Sequence, residues 1–343
     1  MISMLAGKPL EPQQRPVGRR SVTFVDGRRQ GRTLVAEVWY PTVVDDGVRC
    51  AYELLAGVEM VSAGAQPEPE VAPGQFPLVL FSHGRTGTRF AYSTFCEALA
   101  SRGVVVVSAD HPGDALFDWL GGTHSDDRTN EVDRVDDAHL LLEAFTRGHA
   151  ALPAAIAGAI DSGAIVLAGH SYGAFTAFGA AAGSRGVAAH PKVRAVAGFQ
   201  AYTRTMSDAL LGRLQVPVLM VVGSADTVTP AAVDAERPWK LLHGGPVWRL
   251  DLDGVGHQAV SDIALYAELA VHVTGLPDIV RDYLVSTAAS SLAPGAPDWR
   301  NTMRTQLDTM WAFMLSVLAV DHSAAEALAE QVAGRSRVTL TRR

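Results

Sequence analysis

The stretch Ala164-Ile165-Val166-Leu167-Ala168-Gly169-His170-Ser171-Tyr172-Gly173 constrains the fold of this chain more than any other. Its apolar run 164–168 has the length of a buried strand. The small residues Ala174, Ala177, Ala180, Ala181 and Ala182 that follow suit a helix lying close against a sheet. Between the two stands G-x-S-x-G. A strand can pass into a helix that abruptly only if the central residue takes a strained backbone conformation and its neighbours lack side chains. Glycine at 169 and 173 meets that need, and the Ser171 hydroxyl is lifted into the open. The competing reading is a glycine-rich turn whose serine merely caps the helix, and the rest of the chain decides between them.

Ahead of this stretch, Ser21–Val25 and Thr33–Trp39 alternate apolar and polar residues around Asp26-Gly27-Arg28-Arg29-Gln30-Gly31, which predicts an antiparallel hairpin. Ser62–Gln75, with Pro67, Pro69 and Pro73, reads as a loop. Phe76–Ser82 is a continuous apolar strand, 88–102 carries helical spacing, and Gly103–Ala109 is a valine-rich strand: one β-α-β unit. Residues 114–130 are polar and irregular, and helical periodicity returns over 132–145. After Ser171, Val193–Phe199, Val216–Val222 and Pro246–Leu252 are three more buried strands, separated by stretches long enough for helices. Strands apolar throughout and alternating with helices predict an α/β fold, with a mostly parallel twisted sheet covered on both faces. From 262 onward the pattern is helical. We read 1–17 as an N-terminal extension, 18–272 as the α/β core and 273–343 as a helical segment packed on the core, in a position to cap it. The stripe Trp299, Met303, Met310, Trp311, Phe313, Met314 and Leu318 is its expected contact with the body.

A serine hydroxyl is a weak nucleophile at neutral pH. It needs a base within hydrogen-bonding reach and a carboxylate that holds the base in one tautomer. Two later strand ends supply both types: Val216–Val222 runs into Gly223-Ser224-Ala225-Asp226, and Pro246–Leu252 into Asp253-Gly254-Val255-Gly256-His257. Ser171, Asp226 and His257 are therefore the expected nucleophile, acid and base. Asp226 could equally cap a helix starting near Thr229-Pro230, and His257 could be an ordinary loop histidine; the glycines at 254 and 256 favour a tight turn that aims the ring inward. The oxyanion of a tetrahedral intermediate needs two backbone N–H groups. Those of Tyr172 and of Arg85, in the glycine-flanked loop after Phe76–Ser82, are expected to supply them, with the Arg85 side chain incidental. His83 is expected to brace that loop, His170 to pack against the sheet, and His111 either to line the pocket or to serve only as a turn residue.

The segments Phe81-Ser-His-Gly, Gly169-His-Ser-Tyr-Gly, Gly223-Ser-Ala-Asp and Gly254-Val-Gly-His resemble the α/β-hydrolase superfamily. Within it they are similar to the dienelactone-hydrolase and platelet-activating-factor-acetylhydrolase-like group, which includes bacterial polyester hydrolases and cutinases. The resemblance spans roughly residues 18 to 272 and implies cofactor-free hydrolysis of carboxylic esters through an acyl-enzyme. It departs at one point: the acetylhydrolases place their acid after the strand following the nucleophile, where this chain has Phe199-Gln200-Ala201. The resemblance therefore moves the acid to Asp226, as in the cutinase-like members.

Composition narrows the alternatives. With net charge −7 and three lysines beside twenty-six arginines scattered along the chain, there is no basic stripe for nucleic acid and no cationic block for an anionic membrane. No apolar run reaches the length of a membrane span. Two distant cysteines and no CxxC or HExxH predict neither a disulfide framework nor a zinc site. The first residues lack a signal-peptide pattern, so a cytoplasmic protein acting on a small-molecule ester, without cofactor or metal, is expected. The same triad could transfer an acyl group or open a thioester or lactone, and an inactive hydrolase fold could serve as a binding module. Gly254-Val-Gly-His-Gln-Ala matches a dinucleotide-binding fingerprint, but it lies late in the chain, sets a histidine where pyrophosphate would approach and lacks the following acid-tipped strand.

Overall fold

The computed structural model describes residues 3–6, 14–55 and 57–343, without the side chains of 3–6 and 55. Much of the stretch read as an N-terminal extension, 1–17, lies outside the described residues. In chain order the elements are β1 (Ser3–Ala6), β2 (Val17–Asp26), β3 (Arg32–Pro41), β4 (Ala51–Leu55), β5 (Val58–Val61), β6 (Ala65–Pro67), β7 (Phe76–Ser82), α1 (Ser93–Ser101), β8 (Val105–Ala109), α2 (Leu116–Gly121), α3 (Asp127–Arg147), α4 (Ala154–Gly158), β9 (Ile160–His170) and α5 (Tyr172–Ala182). They continue with β10 (Val193–Phe199), α6 (Asp208–Gly212), β11 (Val218–Gly223), α7 (Ala231–Asp234), α8 (Glu236–Leu241), β12 (Val247–Leu252), α9 (Ile263–Ala270), α10 (Asp278–Ser290), α11 (Trp299–Val317), α12 (His322–Ala333) and β13 (Val338–Arg342).

The described residues form a large sheet in the order β13-β12-β11-β10-β9-β7-β8-β3-β2-β6 and a small one in the order β1-β5-β4. The central run from β8 through β7, β9, β10 and β11 to β12 is parallel. The β2–β3 hairpin joins it antiparallel through β8. Both faces are covered, which is why the central strands are apolar throughout. One face carries α3 and α5, with Phe145, Phe175 and Phe178 in its core; the other carries α1 and α11, with Phe81, Phe95, Phe199 and Phe313.

The expected α/β architecture is present, and the differences in detail have physical causes. The polar stretch 114–130 contains α2 and the start of α3, whose first turn is held by the Asp126 side chain accepting from the Thr129 N–H at 3.0 Å, not by an apolar stripe. The loop over 62–75 contains β6, too short to show a period. α11 lies against the sheet: Met303, Met310 and Phe313 are fully buried, and the Phe313 ring meets Trp248 of β12 edge-on at 5.7 Å. At the end of the helical stretch, β13 pairs antiparallel with β12 and closes that edge.

Candidate active site

Parallel strands carry their loops to one end of the sheet, and the expected site residues gather there. β9 ends in a turn too tight for side chains. A Cβ on Gly173 would fall 1.9 Å from the Ser82 carbonyl oxygen, and one on Gly169 would fall 2.3 Å from the Gly173 carbonyl. Between them Ser171 adopts φ 54°, ψ −118°, a conformation that costs a non-glycine residue on the order of 1–3 kcal/mol. The surroundings hold it there, since the Ser171 N–H donates to the Phe199 carbonyl at 2.9 Å and its carbonyl accepts from the Tyr202 N–H at 3.0 Å. The Ser171 side chain makes no hydrogen bond of its own among the described residues, and neither does Nε2 of His257.

Asp226 and His257 meet. His257 Nδ1 lies 2.8 Å from Asp226 Oδ2. The carboxylate is fixed from its other side by the backbone N–H groups of Val228 and Thr229, both donating to Oδ1 at 2.8 Å, and by the Thr229 hydroxyl 2.7 Å from Oδ2. Burial alone would raise the Asp226 carboxyl. The His257 hydrogen bond and charge and the Thr229 donors outweigh it and hold the group at about 2. Asp226 thus remains ionised and can pin the Nδ1 proton of His257, leaving Nε2 as the basic atom. Gln200, at the acetylhydrolase acid position, directs its amide toward Gln306 at 3.4 Å and makes no hydrogen bond to His257 among the described residues.

The third loop closes over Ser171. A Cβ on Gly84 would stand 3.4 Å from Ser171 Cβ, so the 83–87 segment passes directly above the nucleophile position. The backbone N–H groups of Arg85 and Tyr172 donate to nothing among the described residues, whereas that of Thr86 is used by the Asp114 carbonyl at 3.2 Å. The Arg85 side chain, expected to be incidental to the oxyanion site, makes contacts of its own. Its guanidinium lies 4.5 Å over the Tyr172 ring and 5.6 Å from that of Trp119, and it pairs with Asp127 at 2.7 Å. Tyr202 meets Tyr172 edge-on at 5.5 Å, which completes an aromatic rim.

Three histidines behind the site are structural. His83 braces its loop as expected: Nδ1–H donates to the Gly84 carbonyl at 2.7 Å and Nε2 accepts from the His111 N–H at 3.2 Å. The fully buried Arg134 reaches the His83 carbonyl and ties it to Asp114 and Thr176. His111, left between pocket and turn by the sequence, is buried, with Nδ1 3.0 Å from Asp137.

His170 does more than pack. The carbonyl of His257 can only accept, so His170 Nε2, at 2.7 Å, carries the hydrogen, and Nδ1 accepts from the Tyr92 hydroxyl at 2.8 Å. Tyr92 in turn accepts from the Gly84 N–H at 3.2 Å. One buried chain therefore joins the 83–87 loop, the serine turn and the histidine loop. Tyr92 was invisible in the sequence because nothing there relates residue 92 to 84 or 170. We expect Tyr92→Phe to leave two buried groups unpaired, to cost about 1–3 kcal/mol in urea unfolding, and to lower kcat by about tenfold with KM nearly unchanged through loss of alignment.

Burial pushes His83 well down, His111 to about 4 and His170 to about 3, from an ordinary 6.5, with neighbouring Arg134 charge adding for the first two and the His257 charge for the third. As pH falls below 6.5 the unfolded chain binds protons at these rings that the fold refuses. Asp262 and Glu97, buried and raised, oppose this, since the fold takes up protons there that the unfolded chain does not hold, but these two carboxyls are outnumbered by the three rings. Stability should consequently drop on acidification from about pH 6.5 to about pH 5, read as a falling thermal midpoint by circular dichroism; a rising midpoint over that window would contradict it.

Among the described residues no three His, Cys, Asp or Glu side chains cluster as a metal site, and no helix is long and apolar enough to cross a membrane. Residues 51–117, which include the 83–87 loop and stop before Ser171, match the family described as platelet-activating factor acetylhydrolase, isoform II. The fold is similar to that of a ferulic acid esterase from Streptomyces cinnamoneus, with a TM-score of 0.69 at 21% identity over 92% of this chain and 94% of that one. The chain is thus similar to the platelet-activating factor acetylhydrolase family over residues 51–117 and shares the fold of a known esterase, with a serine turn, an acid and a histidine at the ends of β9, β11 and β12.

Proposed function

We propose that the chain hydrolyses carboxylic esters through an acyl-enzyme, with Ser171 as nucleophile, His257 as base and then acid, and Asp226 orienting His257. The observation that carries this reading is the 2.8 Å Asp226–His257 contact, whose geometry leaves Nε2 free on the loop held against the serine turn. His257 Nε2 takes the hydroxyl proton as Ser171 attacks the ester carbonyl. The oxyanion is received by the N–H groups of Tyr172 and Arg85, and the proton then passes to the departing alkoxide. Water, deprotonated by the same nitrogen, attacks the acyl-serine carbonyl, and as the acyl C–O bond breaks the proton passes from His257 to Ser171 Oγ and the carboxylic acid is released.

The half-buried rings of Tyr202 and Trp119 beside the site support esters with an aromatic group as substrates, through edge-on contacts. The structural neighbour is itself named a ferulic acid esterase. Comparing methyl ferulate with p-nitrophenyl acetate, octanoate and palmitate tests this: the aromatic acyl ester should give the highest kcat/KM, and a profile that climbs with aliphatic chain length would overturn the aromatic preference while leaving ester hydrolysis in place.

A further inference from the structure

The Thr229 hydroxyl has more polar neighbours than it has hydrogens. It is buried, and its oxygen stands 2.7 Å from Asp226 Oδ2, 2.9 Å from the Gln200 carbonyl and 3.2 Å from His257 Nδ1. A hydroxyl offers one hydrogen and two lone pairs. The ionised Asp226 and the Gln200 carbonyl can only accept, so they compete for that hydrogen. The His257 Nδ1–H can only donate, so toward it the same oxygen can only accept. Thr229 therefore touches acid and base at once. The backbone N–H groups of Val228 and Thr229 hold Asp226 Oδ1 whichever way the hydroxyl points.

The end of β10 is shaped to present the second acceptor. Gln200 is buried at φ 42°, in the left-handed region where a non-glycine residue is strained. Its N–H is tied to the Val221 carbonyl at 2.9 Å, and its own carbonyl accepts from the Thr229 hydroxyl and from no other group among the described residues. The strand end thus reaches the Asp226–His257 pair through its backbone.

We propose, on the reading that His257 is the base, that Thr229 is a positioning residue whose hydroxyl hydrogen lies on Asp226 Oδ2 while His257 is neutral and turns to the Gln200 carbonyl when His257 takes the serine proton. The Thr229 oxygen then becomes a second acceptor for the Nδ1–H of the imidazolium, and Oδ2 is left wholly to His257 when the charge on the ring is greatest. Hydrogen bonds to a charged donor are the stronger ones, which favours the turn. It moves no heavy atom and breaks no covalent bond. The proton transferred is the one that passes from Ser171 Oγ to His257 Nε2.

Thr229→Val keeps the shape of the side chain and removes the hydroxyl, while Thr229→Ser keeps the hydroxyl. With p-nitrophenyl acetate, Thr229→Val should lower kcat by about tenfold to a hundredfold with KM nearly unchanged. An imidazolium deprived of an acceptor forms less readily, so the acidic limb of the kcat/KM profile should move to lower pH. His170, its ring 4.6 Å from that of His257, and Arg204, which acts on Asp226 through its charge, keep their own partners in these variants, so the limb reports the hydroxyl. Thr229→Ser should restore both rate and limb. Thr229→Ala, which sets no apolar branch against the Gln200 carbonyl, should shift the limb as Thr229→Val does, and circular dichroism checks that each variant is folded. A limb that stays in place in the folded hydroxyl-free variants, or moves to higher pH as it would if the hydroxyl only offset the charge of Asp226, would overturn the proposal, as would Thr229→Ser behaving like Thr229→Val. With Ser171→Ala inactive these results count against Thr229 alone, whereas turnover by Ser171→Ala would remove the reading beneath it.

Discussion

Ser171→Ala should abolish ester turnover, lowering kcat by about six orders of magnitude, while the thermal midpoint stays where it was. The two halves of that expectation come from different features. The hydroxyl makes no hydrogen bond within the described protein, so its removal leaves no buried partner unsatisfied. The backbone is held at φ 54° by the Phe199 and Tyr202 contacts, which do not involve the side chain, and alanine pays the same conformational cost as serine. A variant inactive because it is unfolded would be told apart by circular dichroism. A folded variant with full activity would remove Ser171 from the chemistry.

Asp226→Asn should cost about 10⁴ in kcat through proton placement, with little displacement of the ring. The Val228 and Thr229 N–H groups both donate to Oδ1, so an amide at 226 must put its oxygen there and its NH₂ where Oδ2 now faces His257. An NH₂ can only donate, which forces His257 Nδ1 to accept and moves the ring proton to Nε2. The base is then protonated at the one atom that should receive the serine proton. The variant also loses the stability that follows from holding the carboxyl at about 2 against an ordinary 3.8. That contribution is present above about pH 4 and fades as pH falls through the folded value, so the variant's deficit should shrink in acid. Rates by p-nitrophenyl acetate hydrolysis and midpoints by thermal melts between neutral and acid pH check both; full activity in Asp226→Asn would mean that another group orients His257.

The features legible in the sequence are those whose physics is local. The elbow at Ser171 could be read because steric exclusion at Gly169 and Gly173 leaves a two-glycine signature. The parallel strands could be read because burial on both faces makes them apolar throughout. Asp226 and His257 could be placed because parallel strands deliver their loops to one end of a sheet. What stayed hidden depends on tertiary partners. Tyr92 and Thr229 gain their roles from groups distant in sequence. Arg134 is a charge inside a helix whose apolar pattern suggested only packing, yet it is fully buried beneath the 83–87 loop. The Arg85 side chain looked dispensable because the expected chemistry uses only its N–H, while in the fold it closes the aromatic rim. β13 was obscured because a short edge strand of exposed, alternating residues carries little signal after four helices.

The most direct test of the central claim is covalent labelling with a fluorophosphonate, located by mass spectrometry of the digested protein and run beside p-nitrophenyl ester turnover. A serine hydrolase built as described should lose activity in step with a single adduct on Ser171, and Ser171→Ala should take up none. Ester turnover that survives with Ser171 fully labelled, or an adduct that forms elsewhere as activity disappears, would contradict the assignment of Ser171 as the nucleophile.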